Sequence, residues 1–104
     1  MDEFEIIASI LEDFDRSIVF ADTEHVIRYM NARARQKYAK YGDIIGKNLF
    51  DCHNEHSCRL ITGNLETMKN GVDEIPLVAT ETRRTFMRSV RNAEGDLLGY
   101  YEID

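Results

Sequence analysis

Arg84-Thr85-Phe86-Met87-Arg88-Ser89-Val90-Arg91-Asn92-Ala93-Glu94-Gly95-Asp96-Leu97-Leu98-Gly99-Tyr100-Tyr101-Glu102-Ile103 is the stretch whose reading decides the fold. The runs Arg84 to Val90 and Leu97 to Ile103 alternate apolar with polar or aromatic side chains, as half-buried strands do. Between them, Asn92 to Asp96 is a string of turn formers. So short a connection joins antiparallel strands, because a parallel pair needs a long crossover. Alternation sets Arg84, Phe86, Arg88 and Val90 on one face and Thr85, Met87, Ser89 and Arg91 on the other.

Upstream, Glu74 to Thr80 reads as a further strand, linked by Glu81-Thr82-Arg83. Before it, Glu55 to Asn70 reads as a long helix with Cys58, Ile61, Leu65 and Met68 on one stripe, ended by Asn70-Gly71. Asp43 to Asn54 reads as loop and short helical turns. Asn31 can cap a helix running to about Tyr41, where Gly42 permits a left-handed stop. Ser17 to Ala21 and His25 to Met30, joined by Asp22-Thr23-Glu24, form a second hairpin. The chain starts on an amphipathic helix with Phe4, Ile7, Leu11 and Phe14 at helical spacing and Asp2, Glu3 and Glu5 at its positive end. The sum is an α+β fold: five antiparallel strands, with the middle helices covering one face of the sheet.

The chain has 104 residues, 43% hydrophobic and 31% charged, which suits one domain with one core. We divide it into an N-terminal helix over 1–15, acting as a cap or dimer contact, and a domain over 16–104. A net charge of -6 argues against direct nucleic-acid or anionic-membrane binding, although Arg83, Arg84, Arg88 and Arg91 cluster. No apolar run is long enough to span a membrane, and the acidic start is no signal peptide, so a cytoplasmic location with reduced Cys52 and Cys58 is expected.

In order and spacing, these pieces resemble the PAS family. Ile18-Val19-Phe20-Ala21-Asp22 with Val26-Ile27-Arg28-Tyr29-Met30-Asn31 is similar to that family's first hairpin. Ile44-Ile45-Gly46-Lys47-Asn48-Leu49-Phe50 resembles its next segment, and His53-Asn54-Glu55 stands where many members step into the long helix. Arg88 to Asn92, Glu94-Gly95-Asp96 and Leu98-Gly99 resemble its closing hairpin. Cys52 to Cys58 resembles a subgroup with a Cys-His pair at this place. The resemblance implies a non-enzymatic sensory domain that binds a small-molecule ligand or a partner, often as a homodimer. It feeds an output domain or partner protein, of two-component or transcription-regulating type, that is not in this chain. A ligand-free dimerisation module is the alternative.

From the resemblance and the apolar periodicity, the expected pocket residues are Tyr38, Ile45, Phe50, His53, Ile61, Leu65, Phe86, Arg88 and Tyr100. An inward Arg88 would select a carboxylate or phosphate, since a guanidinium binds these bidentately; the bland alternative is a surface ion pair with a nearby acid. Cys52, His53, His56 and Cys58 are metal-ligand types within one short segment, but their spacing matches no common zinc pattern. The bland reading makes Cys58 a core residue, His53 a cap and His56 solvated. The cofactor stays open. Haem on His53 or His56 is one expectation. A flavin-thiol adduct is argued against, because Gly46-Lys47-Asn48 is followed by Leu49 and not by a cysteine. Ser57-Cys58-Arg59-Leu60 lies too late, inside the long helix.

Overall fold

The computed structural model describes residues 1–79 and 84–104. The expected link Glu81-Thr82-Arg83, and Thr80 before it, lie outside the described residues. The elements run α1 (Glu3–Asp13), β1 (Ile18–Asp22), β2 (Ile27–Met30), α2 (Ala32–Lys37), 3-10 turns at Ala39–Tyr41 and Leu49–Cys52, α3 (Glu55–Lys69), β3 (Glu74–Ala79), β4 (Arg84–Arg91) and β5 (Leu97–Ile103).

The five strands form one sheet in the order β2-β1-β5-β4-β3, and every neighbouring pair is antiparallel. The last strand therefore lies in the centre and joins the N-terminal hairpin to the C-terminal strands. Its register places Glu102 between Val19 and Met87, and Tyr101 between Phe20 and Arg88. Because side chains alternate along a strand, the inner face carries the row Met30, Val19, Glu102, Met87 and Ile75. The outer face carries Tyr29, Phe20, Tyr101, Arg88 and Glu74.

α3 covers the inner face. Asn54 caps it by accepting from the Ser57 N–H at 2.8 Å. The stripe Ile61, Leu65 and Met68 is buried, and it joins Ala21, Ile27, Met30, Met87 and Tyr100 in the core. The strands approach so closely at Gly99 that a Cβ there would stand 2.1 Å from the Ala21 carbonyl oxygen. α2 is shorter than the spacing to Gly42 suggested. Its cap at Tyr38 departs from helical geometry and the chain tightens into the 3-10 turn, so Tyr38 is half-buried against the core. α1, capped by Asp2, lies on the other side of the sheet and has no buried residue.

Candidate functional site

Among the described residues, two of the cavities bear on function: the interior between the sheet and its helices, and a groove on the outer face. The interior cavity is small, about 30 Å³. β1 and β2 supply Val19 and Ile27; the segment after α2 supplies Tyr38, Ile44 and Leu49. The remaining walls are His53, just past the Leu49–Cys52 turn, and Glu102 on β5. That volume suits one water-sized group, since liquid water occupies about 30 Å³ per molecule. The rest of the interior is filled by side chains. His25 and Tyr100 share a hydrogen bond of 2.8 Å, and the His25 ring lies 4.5 Å from that of Phe50. His25 itself adopts a positive φ of 66°, which turns it in under the hairpin. Its carbonyl accepts from the Leu49 N–H at 2.7 Å, tying the hairpin to the 3-10 turn.

The charges in this interior follow from burial. Burial pushes the Glu102 carboxyl above the usual carboxylate range, and the nearby His53 and Lys37 offset only part of that. Burial holds His25 below the ordinary imidazole value and pushes Tyr100 upward. His53 donates from Nδ1 to the Leu49 carbonyl at 2.8 Å.

Of the expected pocket residues, Tyr38 and His53 line the cavity. Ile61, Leu65 and Tyr100 are core residues around it, and Phe50 packs against that core. Ile45 does not take part; it is 44% exposed. Phe86 and Arg88 require a correction. Met87 is the inward residue of β4, so its two neighbours face out. Arg88 is exposed and pairs with Glu74 across β3 at 3.6 Å. The inner residue that the sequence reading passed over is Glu102, together with Val19, Ile27, Ile44 and Leu49. The signal was present in β5, where Tyr100 and Glu102 must share a face.

The Cys-His segment is spread out by the start of α3. His53 precedes the helix, His56 is exposed on its first turn, and Cys58 is a half-buried free thiol whose Sγ lies 3.7 Å from the His53 carbonyl. Among the described residues no three such side chains converge on a point that could hold a metal. The Cys52 side chain lies outside the described residues. A cavity of about 30 Å³ has no room for a porphyrin or a flavin ring without rearrangement of Tyr38 or Ile44.

The outer groove is larger, about 530 Å³, and almost wholly apolar. Ile10 and Leu11 of α1, with Phe14 just past its end, form one wall, while Phe20, Tyr29, Tyr101 and Ile103 of the sheet form its floor. Glu12 anchors the helix at one side, accepting from Tyr29 Oη at 2.9 Å and from Arg35 at 2.6 Å. Phe4 (84% exposed) and Ile10 (61% exposed) stay uncovered. No described helix is long and apolar enough to cross a membrane.

Comparison with known proteins bears on what this architecture is. The chain matches the C-terminal domain of a Streptococcus mutans protein at 21% identity with a TM-score of 0.75, over 96% of this chain and 81% of that one. A PAS domain from Colwellia psychrerythraea matches at 15% identity and a TM-score of 0.68, covering 98% and 94% of the two chains. The PAS domain of the histidine kinase ThkA matches at 19% identity and a TM-score of 0.59, covering 85% and 96%. No curated protein matches in sequence. A family model described as "PAS domain" matches residues 7–103, nearly the whole chain. Both the sheet order and this span place the chain in one family: it belongs to the PAS domains.

Proposed function

We propose that this chain is a non-enzymatic sensory signalling module that works as a homodimer. It reads a small molecule at the helix-covered cavity and passes the state to an output partner. The observation that carries the reading is the construction of β5. Its inward residues Tyr100 and Glu102 meet the core and the cavity, and its outward residues Tyr101 and Ile103 floor the groove beside α1. A ligand that displaces one side of a central strand necessarily moves the other. The uncovered apolar stripe of α1 then offers the contact through which a second copy would sense that movement. A ligand stabilises whichever arrangement binds it better, and only to the extent of that difference.

The test is the mass of the chain by light scattering after size exclusion, for the wild type and for Phe4→Asp/Ile10→Asp. A wild-type dimer that becomes a folded monomer is expected. A monomeric wild type, or a variant that still dimerises, refutes the role given to α1. A second reading, a ligand-free interaction module, is favoured by the small volume of the cavity, which has Tyr38 on its wall, and by the packing of Phe50 and Tyr100 in the core. It predicts the same dimer but no ligand response in the cavity.

A further inference from the structure

We propose that the uncovered half of α1 docks on the outer face of β4 in a second copy of this chain, with Glu3 and Glu5 meeting Arg84 and Arg88 there. The inference rests on the homodimer proposed above, and it names the surface that receives the helix.

The helix outruns the cover that its own chain gives it. Phe4, Ile7 and Leu11 follow at steps of three and four, so they share one face of α1. Leu11 is half-buried and lines the groove, Ile7 is 47% exposed and Phe4 84% exposed. Exposure thus climbs along a single apolar stripe toward the N-terminus. Glu3 and Glu5 stand on either side of Phe4. Residues 1–15 hold Asp2, Glu3, Glu5, Glu12, Asp13 and Asp15, and no lysine or arginine. Among the described residues Glu12 is the one of these acids that pairs with a cation.

The outer face of β4 is the complement. Phe86 and Val90 are half-buried there, with Arg88 exposed between them and Arg84 exposed before them. Val90 lines the groove and Phe86 stands beside Ile103 of its floor, so this strip continues the apolar surface. A third guanidinium, that of Arg16, lies over the Phe86 ring at 5.6 Å. Arg88 keeps 47% of its side chain exposed despite its contact with Glu74. Glu12 ties α1 to Tyr29 and Arg35, on the β2 side, which keeps the helix off its own β4. One chain therefore carries an acidic apolar helix and a basic apolar strip that do not meet. Two copies related by a two-fold axis bring each helix onto the other's strip. Size points the same way. A helix of 11 residues is about 16 Å long and 10 Å wide. Paired only with its copy, it buries far less than the about 800 Å² per partner of a standard interface. The partner's sheet supplies the rest, and the opposed charges set the register.

The experiment is light scattering after size exclusion on the full chain and on two charge-reversed variants, Glu3→Arg/Glu5→Arg and Arg84→Glu/Arg88→Glu. Each is run alone and then mixed in equal amounts, with circular dichroism to show that it is folded. Alone, either variant sets like charges against each other at both contacts, and its dimer should be at least about tenfold weaker than that of the wild type. In the mixture the reversed helix meets the reversed strand and the native helix meets the native strand, so a dimer should return. A double variant that does not fold is replaced by its single reversal, Glu5→Arg or Arg88→Glu, read in the same way. Variants that dimerise like the wild type, or folded variants whose mixture stays monomeric, overturn the docking surface. If Phe4→Asp/Ile10→Asp is monomeric in that case, the homodimer through α1 stands and pairs helix with helix. A monomeric wild type removes the docking surface and the homodimer together.

Discussion

Asn31 spends one amide on three parts of the molecule. Its Oδ1 accepts from the N–H groups of Ile18 and Ala34, each at 3.0 Å, and its Nδ2 donates to the carbonyls of Leu11 and Arg16 at 3.1 and 2.9 Å. It therefore caps α2, fixes the start of β1 and holds the C-terminal end of α1, all from a position with 0% exposure. Asn31→Ala removes the cap and strands buried backbone groups, at an expected cost of about 3 kcal/mol. Urea unfolding measures this as a lower midpoint at unchanged slope. A loss below about 0.5 kcal/mol would mean that water replaces the amide without penalty, and the stitching role would be wrong. Asn31→Asp keeps the acceptor that caps α2 but turns a carboxylate oxygen toward two carbonyls. It should therefore be destabilising as well.

At the scale of elements, the tightest constraint is the approach of β1 to β5. A methyl group on Gly99 would lie 2.1 Å from the Ala21 carbonyl oxygen and 2.8 Å from the Asp22 Cα, both backbone atoms. Relief requires the two strands to separate, so Gly99→Ala should lose about 2–4 kcal/mol. The loss should be felt first as faster amide exchange in β1 and β2; uniform, wild-type protection there would contradict it. The same junction explains which parts of the fold were legible. Periods of two and of 3.6 mark strands and the long helix without reference to the rest of the chain, and turn residues such as Asn92 to Asp96 mark hairpins. The face of β4 that turns inward is not a local property. It depends on the register with β5 and on where α3 lies, and the pattern itself misleads. Phe86 and Val90 lend the outer face an apolar look, while the inner face of β5 carries the acidic Glu102. The two guanidiniums at Arg84 and Arg88 were the usable clue, since both are hard to bury. The Cys-His segment was legible in composition only, because the three-dimensional spread of its side chains depends on α3 starting at Glu55.

For the whole molecule, the buried ionisable groups set opposing demands on pH. The surface carboxylates favour the folded state once ionised. Arg35 and Tyr29 hydrogen-bond Glu12 and hold it below its ordinary value, and Ser89 and Arg91 do the same for Asp73. At Asp22 burial pulls upward, but Arg28 and the N–H groups of Val26 and Glu24 outweigh it. Stability from these three is lost as pH falls through their depressed values. His25, held low by burial, adds a loss as pH falls below about 6.5, because the unfolded chain then binds the proton more readily. Glu102 acts the other way. Its folded pKa is raised, so between about 4.3 and that raised value the folded state holds more protons than the unfolded one. Folding stability therefore falls as pH rises through this interval, then stays at the lower level. Glu102→Gln cannot ionise and lacks this slope. Urea unfolding of both proteins across a pH series should show the wild type losing ground to Glu102→Gln as pH rises from about 4.3, with the gap constant once Glu102 is ionised in both states. Parallel curves would mean that Glu102 already finds a partner inside the fold.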